Sequence, residues 1–266
     1  MPDLAFTRAG RGEPLILVHG IGASKEVWRP VLAQLAERFD VIAVDLPGFG
    51  ESPMLPADVE PTPAALAAAL VDFLDRLDVG PFHIAGNSLG GWVTVEVAKI
   101  RPVRTATLLS PAGLWRRGAP LYARVSLGAS RWIARRATRA LLWAVGTAVG
   151  RMIVLGQTHG RPWAISTEHA RTSVLALANC TGFEAVMRAT ATRRIDGTGV
   201  TAPLTVAFGS RDLILLARQS RHLDRLPDTV RSVPLPRCGH VPMADDPVAV
   251  VDVIVQGTRP NAGADR

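Results

Sequence analysis

The sequence predicts an α/β fold: a doubly wound, mostly parallel sheet with helices on both faces. Short β-branched runs alternate with longer helical patterns along the 266 residues, and this βαβα order is typical of such sheets. Most of the runs are almost continuously apolar, as expected of strands buried on both faces. The length suits one large domain, or one domain with a sizeable insertion.

The strands and helices are predicted in alternating order. Strands are expected at 15–19, 40–45, 82–86, 105–110, 204–209 and 230–235. Helices are expected at 25–38, 63–78, 89–100, 217–226 and 247–256. Pro63 and Pro247 fall in the first turns of two of these helices, where proline is well tolerated.

A long helical insertion interrupts this alternation. Residues 112–194 have a helical composition, and the stretch from Pro111 to Gly182 holds ten arginines and one acid, Glu168. We therefore expect a core of residues 1–111 and 195–257, with a helical domain of residues 112–194 inserted between two strands. Residues 258–266 are expected to form a disordered tail.

Composition and charge narrow the class of protein. Apolar residues make up 48% of the chain, which is typical of a globular protein. The net charge is +7, but only two of the 30 basic residues are lysines. This arginine bias does not indicate a nucleic-acid partner. Cys180 and Cys238 are expected to be free thiols. Since the start lacks an apolar leader and the stretch 140–150 is too short to cross a bilayer, we expect a cytoplasmic protein.

The stretch "GNSLG" (86–90) places Ser88 between a predicted strand and a predicted helix. Gly86 and Gly90 remove side chains that would collide at so sharp a turn, and the helix from Leu89 points free N–H groups toward the serine. The pattern predicts a nucleophile on a strained strand-to-helix turn. The alternative is a tight turn built from small residues.

A serine nucleophile needs a base, and the base needs an orienting acid. His240, in a loop after the last predicted strand, is the preferred base over His83, His159, His169 and His222. Asp212, in the loop after another buried strand, is the preferred acid. The order serine, acid, histidine along the chain is typical of one particular fold.

Two neighbouring carboxylates, Asp245 and Asp246, also follow His240 in the chain. We expect both to cap the helix that starts near Pro247, since aspartate is a favoured residue at helix N-termini.

Four segments in the right order resemble the α/β-hydrolase fold enzymes: "HGIG" (19–22), "DLPGFGES" (45–52), "GNSLGG" (86–91) and "CGHVPMADDP" (238–247). The resemblance covers residues 3–257, and the insertion lies where that family carries a helical cap. The family usually has a β-hairpin before the first of these segments, and residues 4–10 supply only one strand of it. The resemblance therefore implies about seven strands, without the first edge strand.

The resemblance also implies roles for individual residues. Ser88 would be the nucleophile, His240 the base and Asp212 its orienting acid, with the backbone N–H groups of Leu89 and Ile21 as the oxyanion hole. His19 and Asp45 would hold their loops in place. The expected substrate pocket includes Gly22, Trp115, Trp143 and Val241.

A serine nucleophile implies acyl transfer, because the dehalogenases and epoxide hydrolases of this fold use an aspartate there. Carboxylic esters of small or medium apolar acyl groups are the expected substrates, cleaved through an acyl-enzyme. "GNSLGGW" and "LLSPAGLW" (108–115) also resemble meta-cleavage-product C–C hydrolases, but Val241 stands where those enzymes have tryptophan. Lactonase, thioesterase, peroxidase-like and acyltransferase activities remain open. A non-catalytic ligand-binding protein on the same fold is a further alternative.

Other classes are disfavoured. "GIGASK" (20–25) lacks the ending of a phosphate-binding P-loop and the third glycine of a dinucleotide fingerprint. Cys238 and His240 are close in sequence, but no second ligand pair has metal spacing. We therefore expect no cofactor and no metal, and a small molecule as the only predicted partner.

The basic insertion has two interpretations. The favoured one is a solvated basic face. A functional interpretation is that one or two arginines point into the cleft and attract anionic substrates. The alternative is contact of residues 131–155 with an anionic membrane surface. We expect cap packing and pocket lining, not membrane anchoring, from Trp132, Leu141, Leu142, Trp143, Val145 and Val149.

Overall fold

In the computed structural model, which describes residues 2–259, seven strands form one sheet in the order β1-β3-β2-β4-β5-β6-β7. All neighbours are parallel except β1, which pairs antiparallel with β3 at the edge. This confirms the predicted seven-stranded, mostly parallel sheet. The strands are β1 (Phe6–Ala9), β2 (Glu13–Val18), β3 (Phe39–Val44), β4 (His83–Asn87), β5 (Thr105–Leu109), β6 (Leu204–Gly209) and β7 (Arg231–Leu235).

The sheet is covered on both faces. Ile16 and Val18 of β2 pack into a cluster with the helices α2 (Pro63–Arg76) and α3 (Leu89–Ile100). Leu15 and Leu17 of the same strand pack on the opposite side with α1 (Arg29–Ala36) and α10 (Pro247–Gly257). Successive side chains of a strand point to opposite faces, which explains why the strand sequences are continuously apolar.

Two predicted helices are divided in the structure. The predicted helix 25–38 forms a 3₁₀ turn, Lys25–Trp28, followed by α1, with Pro30 in the first turn of the α-helix. Proline lacks the N–H that would continue a helix through this point. The predicted helix 217–226 forms α9 (Ala217–Ser220) and a 3₁₀ turn, Leu223–Arg225. Between them, the His222 N–H donates to the Leu114 carbonyl instead of an intrahelical acceptor.

The chain between β5 and β6 contains helices and no assigned strand within residues 110–203. A small core of Val145, Leu155, Ile165, Ala170 and Val174 packs inside this segment. The helical elements of this segment are α4 (Leu121–Arg136), α5 (Thr138–Ala144), α6 (Ala148–Leu155), a 3₁₀ turn (Pro162–Ala164), α7 (Thr167–Asn179) and α8 (Phe183–Thr190). Outside the segment, a further 3₁₀ turn, Pro242–Ala244, lies before α10.

Not every arginine of this segment belongs to a solvated face. Arg131 is buried, and its guanidinium donates to the carbonyls of Leu177 and Cys180 and pairs with Glu184 at 3.3 Å. It therefore links α4 to α7 and to the start of α8. An arginine with its donors satisfied in this way has a structural role in the packing of the helices.

Both cysteines are buried and free. Burial raises the pKa of Cys180 to about 11 and that of Cys238 to about 12, so both are held as thiols. Among the described residues, no helix is long and apolar enough to span a bilayer. Of the predicted tail 258–266, Thr258 and Arg259 lie in the turn that ends α10, and the remainder lies outside the described residues.

Candidate active site

Ser88 lies at the sharp turn between β4 and α3, with a backbone φ of +55°. This left-handed conformation is uncommon for a residue with a side chain, and it stores strain that the surrounding structure must hold. The Ser88 N–H donates to the Leu109 carbonyl at 3.0 Å, and the Ser88 carbonyl accepts from Ala112 and Trp92. The turn is therefore tied on both sides, which projects the Ser88 side chain above the end of the sheet.

The flanking glycines leave no room for a side chain. A Cβ on Gly86 would lie 2.2 Å from the Gly90 carbonyl oxygen, and a Cβ on Gly90 would lie 2.1 Å from the Val18 carbonyl oxygen. Gly20 is close as well, since its Cβ would lie 3.0 Å from the Ser88 Cβ. These contacts support the steric explanation of the "GNSLG" pattern.

His240 and Asp212 form a buried pair, with His240 Nδ1 2.9 Å from Asp212 Oδ2. The other carboxylate oxygen of Asp212 accepts from the N–H groups of Ile214 and Leu215 at 2.9 and 2.8 Å. Burial alone would raise the pKa of Asp212, but the His240 charge and these hydrogen bonds together lower it. Asp212 is therefore held as a carboxylate, and it orients the imidazole through Nδ1.

Asn87 links the two halves of the site, a role that the sequence reasoning missed. Its amide nitrogen donates to the Leu109 carbonyl at 3.0 Å and to the His240 carbonyl at 2.9 Å. A polar residue at the end of a buried strand needs hydrogen-bond partners, which was the available signal. The partners themselves are 22 and 153 residues away.

Asp246 caps α10 as expected, since its Oδ1 accepts from the Ala249 N–H at 3.1 Å. The same prediction for Asp245 is wrong. Asp245 accepts from the N–H groups of Gly239 and Gly160, both at 2.7 Å, and of Arg161 at 2.8 Å. It points away from the helix because these backbone donors of the His240 loop and the helical segment would otherwise be unpaired.

His19 and Asp45 hold the loops on the other side of Ser88. His19 Nδ1 donates to the Gly20 carbonyl at 2.7 Å, and its Nε2 accepts from the Leu46 N–H at 3.0 Å. Asp45 accepts from the backbone N–H and the ammonium of Lys25 at 2.6 and 2.9 Å. These contacts fix the segment that carries Ile21, and they agree with the expected structural roles.

A narrow cavity of about 50 Å³ opens at Ser88. Its walls come from both the sheet and the helical segment, and they include Ile21, Ser88, Leu89, Trp92, Trp115, Arg124, Leu127, Met187, Ile214 and Leu215. Trp115, one of the expected pocket residues, thus lines the cavity that contains Ser88. Its indole N–H donates to the Arg193 carbonyl at 2.7 Å, which leaves the ring to face the cavity.

A larger cavity of about 300 Å³ shares Ile21 and Leu127 with the first one. Gly22 and Val241, two further residues of the expected pocket, line this cavity. Trp143, the fourth expected pocket residue, lines neither cavity, and its side chain is 81% exposed. The short helix α5 turns Leu141 and Leu142 toward the small core, so Trp143 points away from it.

His159 adds a polar group to the wall of the larger cavity. Its Nδ1 lies 2.8 Å from the Thr158 hydroxyl, which itself donates to the Leu155 carbonyl. The hydroxyl oxygen is therefore the acceptor and Nδ1 carries the proton. The buried Nε2 is then an acceptor, and it has no hydrogen-bond partner among residues 2–259. Burial, followed by the neighbouring His169, lowers the pKa of His159 to about 3. The sequence analysis had set both histidines aside as weaker base candidates.

Within residues 2–259, no cluster of three or more His, Cys, Asp or Glu side chains could hold a metal ion. The site consists of a strained serine, a buried aspartate–histidine pair and two cavities that share Ile21 and Leu127 in their walls. Ser88, Asp212 and His240 follow β4, β6 and β7, and the carboxyl ends of these parallel strands lie at the same edge of the sheet.

The chain is similar to known proteins in both sequence and structure. It shares 35% identity over 119 residues with the (E)-2-((N-methylformamido)methylene)succinate hydrolase of Acinetobacter baylyi, covering 42% of each chain. It shares 37% identity over 110 residues with the pimeloyl-[acyl-carrier protein] methyl ester esterase of Aeromonas hydrophila, covering 41% of each. The chain thus spans less than half the length of these two relatives.

Among solved structures, a thermophilic esterase from Thermogutta terrifontis superposes with a TM-score of 0.73 at 25% identity, covering 96% of this chain and 92% of that one. Residues 15–253 match the family model described as the alpha/beta hydrolase family. This protein therefore belongs to the alpha/beta hydrolase family.

Proposed function

We propose that this protein is a serine hydrolase of carboxylic esters, with Ser88 as nucleophile, His240 as base and Asp212 as orienting acid. The observation that carries the proposal is a buried His240–Asp212 pair whose loop is hydrogen-bonded through Asn87 to the left-handed turn of Ser88. Strain at one residue and a paired, buried charge at another are both costly, and they are typical of functional sites.

In the proposed reaction, Ser88 Oγ attacks the ester carbonyl while His240 Nε2 accepts its proton. The backbone N–H groups of Leu89 and Ile21 stabilise the oxyanion, and the tetrahedral intermediate collapses to an acyl-enzyme as His240 protonates the leaving alcohol. Water, deprotonated by His240, then releases the acid. Each oxyanion donor is expected to contribute roughly 10²–10³ in rate.

Residues 112–194 act in this proposal as the cap over the site. Trp115, Leu127 and Met187 supply apolar walls of the Ser88 cavity, which supports small or medium apolar acyl groups as substrates. The relative from Aeromonas hydrophila is named as a methyl ester esterase, which agrees with ester cleavage. The two free thiols support a reducing, cytoplasmic compartment.

A C–C bond hydrolase is the second candidate, favoured by one feature of the cavity. Arg124 lines the Ser88 cavity, and its guanidinium can bind a carboxylate with two parallel hydrogen bonds. Substrates that carry a carboxylate near the reacting carbonyl, including meta-cleavage dienoates, would use this contact. Arg124→Gln would raise the KM for such substrates and leave the hydrolysis of neutral esters unchanged.

Labelling by a fluorophosphonate probe tests the nucleophile. The wild-type protein should be labelled, Ser88→Ala should not, and Ser126→Ala on α4 should be labelled like the wild type. Absence of labelling in the folded wild-type protein would favour a non-catalytic binding protein instead. A panel of p-nitrophenyl esters, lactones and a meta-cleavage dienoate then ranks the substrates, and preference for the dienoate over all esters would establish the second candidate.

A further inference from the structure

The helical segment 112–194 exposes large apolar side chains to solvent. All three exposed tryptophans of the protein lie in it, with Trp132 62% and Trp143 81% exposed, and Trp163 also in the exposed class. The other tryptophans, Trp28, Trp92 and Trp115, are buried. The sequence analysis expected Trp132, Trp143 and Val149 to pack within the cap, and all three are exposed instead. Contiguous exposed apolar surface usually marks an interaction site.

Helix α4 is apolar on two opposite sides. Ala123 and Ala134 are buried against the rest of the protein. On the other side, apolar residues recur at helical spacing and are exposed: Leu121, Tyr122, Val125, Trp132 and Ile133. A surface helix normally has one apolar stripe, so the outer stripe of α4 needs a separate explanation.

The exposed apolar surface reaches the larger cavity. Ile153 on α6 is 79% exposed, Val149 is exposed one turn before it, and the adjacent Met152 is exposed as well. Ile153 and Ile133 also line the larger cavity, together with Ile21 and Val241 beside the proposed catalytic groups. We call the surface of α4, α5 and α6 that carries these residues the cap face. Ile133 and Ile153 belong both to this face and to the wall of the cavity.

Charge is strongly polarised between the segment and the rest of the chain. Residues 112–194 contain thirteen arginines and two acids, a net charge of +11, while the remaining residues sum to −4 within the total of +7. Arg136 stacks on the Trp132 ring with its guanidinium 6.0 Å from the ring centre. Within residues 2–259, neither Arg136 nor Arg139 has a carboxylate partner.

We propose that the cap face docks onto an anionic lipid surface and that apolar substrates pass from the bilayer into the larger cavity. Tryptophan and aliphatic side chains beside arginines suit the boundary between headgroups and acyl chains. A second copy of this chain is a poorer occupant, since two strongly positive faces would repel each other. The docking of the cap face does not depend on the proposed ester hydrolysis. The passage of substrate into the cavity rests on that proposed function.

Vesicle co-sedimentation tests the docking, using the Ser88→Ala protein so that no lipid is hydrolysed. The protein should sediment with vesicles of phosphatidylcholine and phosphatidylglycerol, but not with phosphatidylcholine alone, and added salt should release it. Two double variants, Trp132→Ser/Trp143→Ser and Arg136→Gln/Arg139→Gln, should each bind these vesicles at least roughly tenfold more weakly than the parent protein.

Matched controls separate docking from general effects of surface composition. Ile100→Ser/Val248→Ser removes two exposed apolar side chains that lie outside the helical segment 112–194. Arg11→Gln/Arg38→Gln removes two exposed arginines that also lie outside it. Both should bind anionic vesicles like the parent protein. The proposal would be overturned if the protein did not bind anionic vesicles, or if it bound anionic and neutral vesicles equally. A dimer that Trp143→Ser converts to monomer, without vesicle binding, would identify a second copy as the occupant.

Substrate passage is tested with the active enzyme. The wild type should hydrolyse an apolar ester faster in anionic vesicles than in neutral vesicles. Trp132→Ser/Trp143→Ser should lose this advantage and retain its rate on a short soluble ester. If the wild type hydrolyses no ester in any form, the proposed function fails while the docking result still stands. Equal rates in both kinds of vesicle would overturn the passage of substrate alone.

Discussion

The side-chain amide of Asn87 is hydrogen-bonded to the main-chain carbonyl of His240, at 2.9 Å. Asn87 directly precedes Ser88, so this bond joins the turn of the proposed nucleophile to the loop of the proposed base. The same amide donates to Leu109 at the end of the neighbouring strand. One buried side chain of β4 thereby contacts the end of β5 and the loop after β7.

Replacement of Asn87 by alanine is expected to destabilise the protein and to lower kcat more than it changes KM. The His240 carbonyl would lose this donor, at a cost of about 1–3 kcal/mol, whereas the Leu109 carbonyl would keep the Ser88 N–H. Urea denaturation measures the free energy of unfolding, and ester hydrolysis measures the kinetic effect. Asn179→Ala, at the exposed end of α7, is the matched control. Equal stability of the Asn87→Ala and wild-type proteins would contradict the bridging role.

Gly90→Ala is expected to disrupt the turn, because the new Cβ would lie 2.1 Å from the Val18 carbonyl oxygen. Relief of such a contact requires α3 to move from the sheet, and overpacking of this kind costs about 1–3 kcal/mol. Gly80→Ala is the control, since a Cβ there meets nothing within 4 Å. The melting temperature and fluorophosphonate labelling should fall only in Gly90→Ala. Two equally stable variants would refute the steric explanation.

Asp212→Asn is expected to lower kcat by about 10⁴-fold while the protein remains folded. An amide cannot stabilise the imidazolium of His240, and the Nδ1 proton would lose its acceptor. Circular dichroism checks the fold, and the rate on a p-nitrophenyl ester checks the activity. Asp224→Asn, an exposed acid in a 3₁₀ turn, should keep full activity. A loss of less than tenfold in Asp212→Asn would assign the orienting role elsewhere.

His159 is expected to make the protein sensitive to acid. Its pKa is lowered to about 3 by burial and by His169, whereas the unfolded chain has a value near 6.5. The folded state therefore disfavours protonation of His159. The contribution of His159 to the free energy of unfolding is fully present above about pH 6.5, and it declines by about 1.4 kcal/mol per pH unit as the pH falls from there toward 3.

His159→Leu should remove that share of the pH dependence, while His222→Gln should not. Chemical denaturation at pH 5 and pH 7.5 gives the difference between each variant and the wild type. This difference separates the contribution of His159 to the pH dependence from those of His19 and His169, because burial lowers the pKa values of these two histidines as well. An unchanged pH dependence in His159→Leu would show that this group is not held neutral in the fold.

Local patterns in the sequence were sufficient for the sheet and for the serine turn. A strand buried on both faces has a continuously apolar sequence, so all the predicted strands form close to their expected bounds. The turn at Ser88 depends on glycines two residues away, and its backbone strain depends on the strand before it and the helix after it. The glycine spacing and the strand-to-helix boundary are local patterns, which is why residues 83–92 indicated the turn, although the contact that leaves no room for a side chain at Gly90 is with the distant Val18 carbonyl.

Only the tertiary structure decided how distant segments meet. Asp245 was expected to cap α10, and it instead binds backbone groups as far as 85 residues away. Trp143 was expected in the pocket, and the packing of α5 turns it to solvent. The partners of Asn87 and the isolation of His159 Nε2 also arise from contacts between separate elements. The sequence determined which segments form strands and where a nucleophile could be held, because those depend on neighbours along the chain. The surroundings of each side chain depend on burial by residues far away in the sequence, and the packed fold alone supplies them.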